Sequence, residues 1–341
     1  MQVLVAMSGG VDSAVAAALM VEAGHEVIGV TMKLWGGPSD TGCCAVSDVV
    51  DARRAADLLG IDHHVFNFGD DFERWVVEPY VEAHASGLTP NPCIECNRSI
   101  KFSRLLERAE QIGFDRIVTG HHAGIVDHDD GHRYVVRGAD DAKDQSYVLH
   151  TLGQRELAKL DFPIGHMIKD DVRARAVDIG MRLADKPDSQ DVCFITRESG
   201  REDFLRNRIA LTPGRIIDQA GTEVGRVDAV EMVTIGQRKG LGIGGLAEPV
   251  YATDVDVSTA TVTIGRRADL YASSVEVDQV TWVSEAVTGP LRAQTSAHGE
   301  AAPVTVDGST ITWDEPRRRV AAGQSVVLYA DSRVVGSGIA V

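Results

Sequence analysis

Over roughly the first 125 residues, short runs of apolar, β-branched residues alternate with stretches of helical spacing. Residues 3–7 read as a buried strand. Residues 13–23 are alanine-rich and stop at Gly24, a residue suited to the left-handed position after a helix. Residues 26–35, with Val27, Ile28, Val30 and Thr31, predict a second strand. In 48–59, Val49, Ala52, Ala55, Ala56 and Leu59 share one helical face and Gly60 follows. A third strand is predicted at 64–68, helices at 71–85 and 100–112, and a fourth strand at 116–119. Strands separated by helices predict a parallel sheet covered on both faces, with ligands at the carboxyl ends of its strands.

Helical spacing continues at 145–152, 155–160 and 171–179, and the texture changes after Pro213-Gly214. Alternating strands are predicted at 250–257, 261–264 and 275–283, with hairpin turns at Asp307-Gly308 and Ala330-Asp331-Ser332. Residues 286–303 carry the weakest pattern. The C-terminal third is expected to be all-β, closed as one or two small barrels.

Composition narrows the class. The 341 residues are 44% hydrophobic and 25% charged, as in globular chains, and no run approaches the 20 or so apolar residues that span a bilayer. The start, Met1-Gln2-Val3-Leu4-Val5-Ala6, lacks the layout of a signal peptide, so a cytoplasmic location is expected. A net charge of −16 argues against a sequence-independent nucleic-acid binder, without excluding a local basic face. Five cysteines (Cys43, Cys44, Cys93, Cys96 and Cys193) are too few for a disulfide scaffold and point to chemistry or metal.

Ser8-Gly9-Gly10-Val11-Asp12-Ser13 lies between the first strand and first helix. Two glycines allow backbone N–H groups to turn toward an anion, and the helix start adds its dipole. Ser8 and Ser13 supply hydroxyls, and Asp12 a cap or an indirect metal contact. The loop fits neither the Walker pattern nor the dinucleotide one. It resembles the SGGxDS signature of the PP-loop ATP pyrophosphatases, which split ATP into AMP and pyrophosphate.

Thr89-Pro90-Asn91-Pro92-Cys93-Ile94-Glu95-Cys96-Asn97 reads as a loop preceding a helix near Ser99, a position that favours thiolate. Cys193 lies in a second turn-rich segment, 186–194. Three readings compete: small buried side chains; a metal or iron–sulfur site built from Cys93, Cys96 and Cys193; or a persulfide on one cysteine with the other as nucleophile or resolving thiol. His63, His64 and His150 read as structural, and Asp127-His128-Asp129-Asp130 as a solvated hairpin tip. The basic loop 237–245 reads as an arm near substrate.

Further motifs occur in one order: Thr31-Met32-Lys33-x-Trp35, Gly42-Cys43-Cys44, Asn91-Pro92 to Cys96-Asn97, Lys101-Phe102, Thr119-Gly120-His121, Lys143 to Tyr147, Cys193-Phe194-Ile195 and 234–242. The chain therefore resembles the tRNA-specific 2-thiouridylases over residues 1–280, with a weaker tail at Arg319-Val320 and Gly323-Gln324. The resemblance implies a doubly wound sheet of the PP-loop, adenine nucleotide alpha-hydrolase-like kind over 1–200, followed by a small β-rich linking domain over 201–270 and a β-barrel over 271–341. It implies ATP-dependent 2-thiolation of the tRNA wobble uridine.

ATP, with magnesium, is expected against Ala6, Met7, Ser8, Gly9, Gly10, Val11, Asp12 and Ser13, with adenine near Met32 and Gly120. Cys193 corresponds to the persulfide carrier and Cys96 to the nucleophile, the two forming a transient disulfide. Asn91, Pro92, Cys93, His121, Lys143, Asp144, Gln145 and Gln324 correspond to tRNA or base contacts. The partners implied are tRNA and a persulfide donor, a cysteine desulfurase or relay protein. Two departures matter. Cys93 replaces an Asp common in the family, which keeps an iron–sulfur route open. The family's basic segment in the barrel shrinks to Arg292, leaving Arg317, Arg318, Arg319 and Gln324 as its tRNA candidates.

Overall fold

The computed structural model describes residues 1–35, 46–181, 186, 192–195, 200–243, 248–287 and 289–341. The N-terminal part runs through β1 (Gln2–Ala6), α1 (Val11–Glu22), β2 (Glu26–Lys33), α2 (Val46–Leu59), β3 (Asp62–Asn67) and β4 (Arg116–Thr119). A hairpin of β5 (Ala123–Asp127) and β6 (Arg133–Arg137) follows, then β7 (Leu160–Asp161) and α3 (Lys169–Asp178). Five strands form a parallel sheet in the order β3-β2-β1-β4-β7. Val3, Leu4 and Val5 of β1 are all buried because both faces are covered. That is why β1 reads as continuously apolar. Leu4 joins the cluster of Val30, Ile117 and Phe102, while Val3 and Val5 pack on Ala14, Ala17 and Ala18 of α1 and on Ala52 and Ala56 of α2. Alanine on those helix faces permits close helix–sheet approach.

Two helical stretches differ from expectation. Residues 69–85 form Gly69–Phe72, a π-helical Glu73–Val77 and Glu78–Ala85. Residues 92–111 form Pro92–Glu95, a π-helical Cys96–Arg104 and Leu105–Gln111. Helix therefore starts at Pro92, not near Ser99. Asn91 accepts the Cys93 N–H at 3.0 Å as a cap, and Pro92 occupies the first turn, where its missing N–H costs nothing.

The middle part, β8 (Gly214–Ile217), β9 (Glu223–Val227), β10 (Tyr251–Asp256) and β11 (Thr261–Gly265), is a sheet in the order β10-β11-β8-β9. Its core contains Ile216, Val230, Ala252, Val262 and Ile264. The C-terminal part contains β12 (Tyr271–Glu276), β13 (Thr281–Trp282), β14 (Leu291–Gln294), β15 (Ala302–Asp307), β16 (Thr310–Arg318), β17 (Ser325–Ala330) and β18 (Arg333–Ile339). Strands β12-β16-β15-β14-β17-β18 are neighbours in that order, and a bridge between Val277 and Ala340 brings the ends together as a barrel. Residues 286–303, expected to be irregular, supply β14 and the start of β15. The four-residue Leu-Arg-Ala-Gln of β14 carries no β-branched residue and is ordered by pairing on both sides. The β5–β6 hairpin continues this sheet through the pair Arg333 and Val136, with Arg137 N–H donating to Ser332 O at 3.0 Å. Asp130 does sit at its tip.

Candidate active site

Strand β1 has β2 on one side and β4 on the other, so the carboxyl ends of β1 and β4 flank the point where strand order reverses. The loop Ser8–Ser13 fills it. Gly9 has φ +72°, and a Cβ there would lie 2.2 Å from Asp48 O, so only glycine fits. Gly10 is the extended N-cap of α1, and no side chain caps that helix, which leaves its start directed at the crevice. Ser13 Oγ accepts from Ser8 N–H at 3.1 Å and donates to Gly10 O at 3.1 Å, closing the loop on itself. Gly120 covers it from β4, since a Cβ there would meet Ser13 N at 2.5 Å. Ala6 and Met32, half-buried, lie at the ends of β1 and β2. Met7 N–H donates to Val30 O at 2.8 Å, and Val11 is buried in the α1 core.

Two lysines converge on the loop. Lys169, at the start of α3 and almost wholly buried, places Nζ 2.7 Å from both oxygens of Asp12, and His122 Nε2 is 3.1 Å from Asp12 Oδ1. Burial pushes the Asp12 carboxyl up. The hydrogen bonds from His122 and Lys169, with the lysine's charge, outweigh it and hold the group below the ordinary carboxylate range. Lys186 Nζ donates to Gly9 O at 2.9 Å, Asp48 Oδ1 at 2.7 Å and Asp51 Oδ2 at 2.8 Å. Burial lowers the Lys186 pKa, but its bonds to Asp48 and Asp51 leave it raised. Lys169, His122 and Lys186 were absent from the sequence-derived site. Only His122, beside the quoted His121, and Lys186, in the Cys193 segment, had a signal to follow.

Cys96 is buried, Cys93 exposed and Cys193 half-buried. Cys96 belongs to the large apolar cluster on the Leu4 face of the sheet, and Cys193 packs on the same cluster. Phe194 fixes the Cys193 turn by inserting among Trp35, Phe72, Tyr80 and Phe204, at ring separations of 6.2, 5.7, 5.4 and 5.1 Å. Trp35 follows the end of β2, so the second cysteine segment is anchored beside the carboxyl end of that strand. Among the described residues, no three of His, Cys, Asp and Glu are grouped to hold a metal ion. Cys43 and Cys44 lie outside the described residues.

The expected tRNA contacts divide. Asn91 is half-buried as a helix cap, Pro92 is buried and Lys143 is half-buried. His121 lies in the interior between Phe102 and Phe162, with Nδ1 2.6 Å from Thr119 Oγ1. Burial there, with Lys101 and His122 nearby, drives its pKa far below the usual value and keeps it neutral. Asp144 is saturated by Arg137, Ser146 and the Gly138 N–H, and Gln145 Oε1 accepts from His122 N–H at 2.9 Å. These two side chains hold protein groups in place. Gln324 Oε1 accepts from Ala321 N–H within its own turn. Arg318 and Arg319 donate to Gly236 O and Thr253 O of the middle part, so they join the two β units. Arg238 and Lys239 are exposed, and residues 244–247 of their loop lie outside the described residues.

A phosphate loop at a strand-order reversal, lysines around it and two cysteines on an adjoining cluster define a nucleotide-dependent enzyme of the PP-loop class. Residues 1–197 match the family model described as tRNA methyl transferase HUP domain, 202–266 the tRNA methyl transferase PRC-barrel domain and 272–340 the Aminomethyltransferase beta-barrel domain. A tRNA-specific 2-thiouridylase of Streptomyces avermitilis is 45% identical over 353 residues, spanning 99% of this chain and 94% of that protein. Those of Chloroflexus aurantiacus and Corynebacterium glutamicum are 43% and 44% identical, over 98% and 99% of this chain and 97% and 98% of theirs. The chain belongs to the tRNA-specific 2-thiouridylase family.

Proposed function

We propose that this protein uses ATP to replace the C2 oxygen of the tRNA wobble uridine with sulfur carried on Cys193. The observation that carries the reading is that Cys96 and Cys193, distant in sequence, share one apolar cluster, with Phe194 beside Cys193 packed on Trp35 just past the end of β2. Methyl transfer, the wording of two family descriptions, needs neither a phosphate loop nor a pair of thiols.

The C2 oxygen attacks the α-phosphorus of ATP, the bond to pyrophosphate breaks and N3 loses its proton, giving an O-adenylated base. Lys169 and Lys186 are placed to exchange their carboxylates for the departing phosphates, and the uncapped start of α1 supplies backbone donors. A persulfide on Cys193 attacks C2 through its outer sulfur. Cys96 then attacks the inner sulfur, forming a Cys96–Cys193 disulfide as the S–S bond breaks; AMP leaves with the former C2 oxygen, and the proton given up by the Cys96 thiol is balanced by the one N3 regains. A thiol reductant and a persulfide donor, a cysteine desulfurase or relay protein, restore the enzyme. Magnesium would arrive with the nucleotide, and Asp12 is the carboxylate placed to hold its water shell. Supplies of ATP, tRNA and reduced thiols agree with a cytoplasmic setting, and no helix among the described residues is long and apolar enough to cross a membrane.

Cys193→Ala is expected to abolish thiolation while ATP-dependent pyrophosphate release with tRNA stays within about twofold of wild type. Retained thiolation would overturn the persulfide assignment.

A further inference from the structure

The segment leading into the Cys96 helix is gripped by both downstream β units. Thr89 N–H donates to Ala322 O of the barrel at 2.8 Å. Gly323, with φ +87°, presses on the same place: a Cβ there would lie 3.0 Å from Leu88 Cβ and 3.1 Å from Thr89 N. From the other side, a Cβ on Gly87 would meet Val257 of the middle part at 2.7 Å. The barrel turn is itself pinned at the seam, since Gly323 N–H donates to Ala340 O at 2.8 Å and Ala340 N–H to Gln324 O at 2.9 Å.

A second brace acts beyond the cysteine. Asn97 Nδ2, beside Cys96, donates to Val148 O at 3.1 Å. The short helix Ser146–Leu149 is tied to the barrel by Tyr147 Oη donating to Ser325 O at 2.9 Å and by Ser146 Oγ at 3.1 Å from Tyr329 Oη. The Cys96 segment is thus held on both flanks by elements that rest on the barrel.

We infer that Gly323 and its turn are positioning elements for Cys96, so that the barrel sets the catalytic geometry besides any part it has in holding RNA. This rests on the role proposed above for Cys96. The close approach at Gly323 tolerates no side chain without moving Leu88-Thr89 by some tenths of an ångström. Misplacement on that scale is costly for a step that needs a sulfur in line with its target.

Gly308 provides the control. It is a left-handed glycine (φ +59°) in the β15–β16 turn of the same barrel, with nothing within 4 Å of a Cβ. Substitution at either glycine strains a left-handed backbone, but only at 323 does a side chain intrude on the cysteine segment. Thiolation turnover is expected to fall about threefold in Gly323→Ala and tenfold or more in Gly323→Val. ATP affinity should match that of Gly308→Ala and Gly308→Val, which keep wild-type turnover, and the loss at 323 should persist at temperatures well below each variant's own unfolding midpoint. Equal turnover in the two series overturns the inference. If Gly323→Val does not fold, amide hydrogen exchange of the wild-type protein decides. Thr89 N–H should exchange as slowly as the barrel amide of Val327, and exchange at loop rates overturns the brace. Cys96→Ser separates the two levels: an active Cys96→Ser removes the cysteine's role, whereas an inactive one with equal glycine series removes only the brace.

Discussion

Lys169 illustrates what a single residue contributes that local pattern does not announce. Its position, at the start of a polar helix over a hundred residues from the phosphate loop, carries no motif, and only the packing of α3 on α1 brings Nζ to Asp12. The loop itself was legible, because glycines between a strand and a helix have few other uses. The histidines show the opposite case. A one-residue difference in where the chain leaves β4 decides that His121 enters the core and His122 reaches Asp12. The Asp12–Lys169 pair is largely buried, with side-chain exposures of 28% and 9%. Lys169→Met should therefore cost on the order of 2–3 kcal/mol of stability by leaving a carboxylate without its cation. Adding Asp12→Asn should recover much of that loss but not nucleotide affinity, as measured by chemical denaturation and ATP titration. Because the Asp12 pKa is depressed, the pair's contribution is complete above the ordinary carboxylate range and disappears only as pH falls through the lower folded value.

At the level of elements, the parallel strands and their helices followed from hydrophobic period, but the π-helical turns did not. A π turn alters hydrogen bonding without altering composition, and here it begins at Cys96 itself. The hairpin β5–β6 was visible only as its tip, and its attachment to β18 comes from pairing across two hundred residues. Three elements meet at His150, whose Nδ1 is 2.8 Å from Ser337 Oγ and Nε2 is 3.2 Å from Ser325 Oγ. Burial, and secondarily Arg98, lowers its pKa to about 4. A depressed histidine contributes its full stability above its unfolded value near 6.5, and that contribution is lost as pH falls toward 4. His84, also lowered to about 4 by burial and Arg201, acts in the same window. Thermal midpoints should accordingly drop between pH 6.5 and 4. His150→Gln should flatten that drop by an amount on the order of 2–3 kcal/mol; an unchanged profile would mean that folding does not shift the histidine's pKa.

Across the whole molecule, a net charge of −16 belongs to an enzyme whose specificity lies in a local site. Two arginines of the barrel, Arg318 and Arg319, donate across to the middle part, and Arg238 and Lys239 are exposed. The passage from α/β to all-β was legible because the period changes after Pro213-Gly214, whereas the grip of the last two parts on the first lies in backbone contacts that no period encodes. The central claim is that these parts together thiolate C2 of the wobble uridine through Cys193. Mass spectrometry of nucleosides from tRNA incubated with the purified protein, ATP and a persulfide donor tests it most directly. The account predicts 2-thiouridine confined to the wobble position, formed by the wild-type protein and not by Cys193→Ala. Thiolation of cytidine, sulfur at C4 of uridine, or 2-thiouridine from the alanine variant would contradict it.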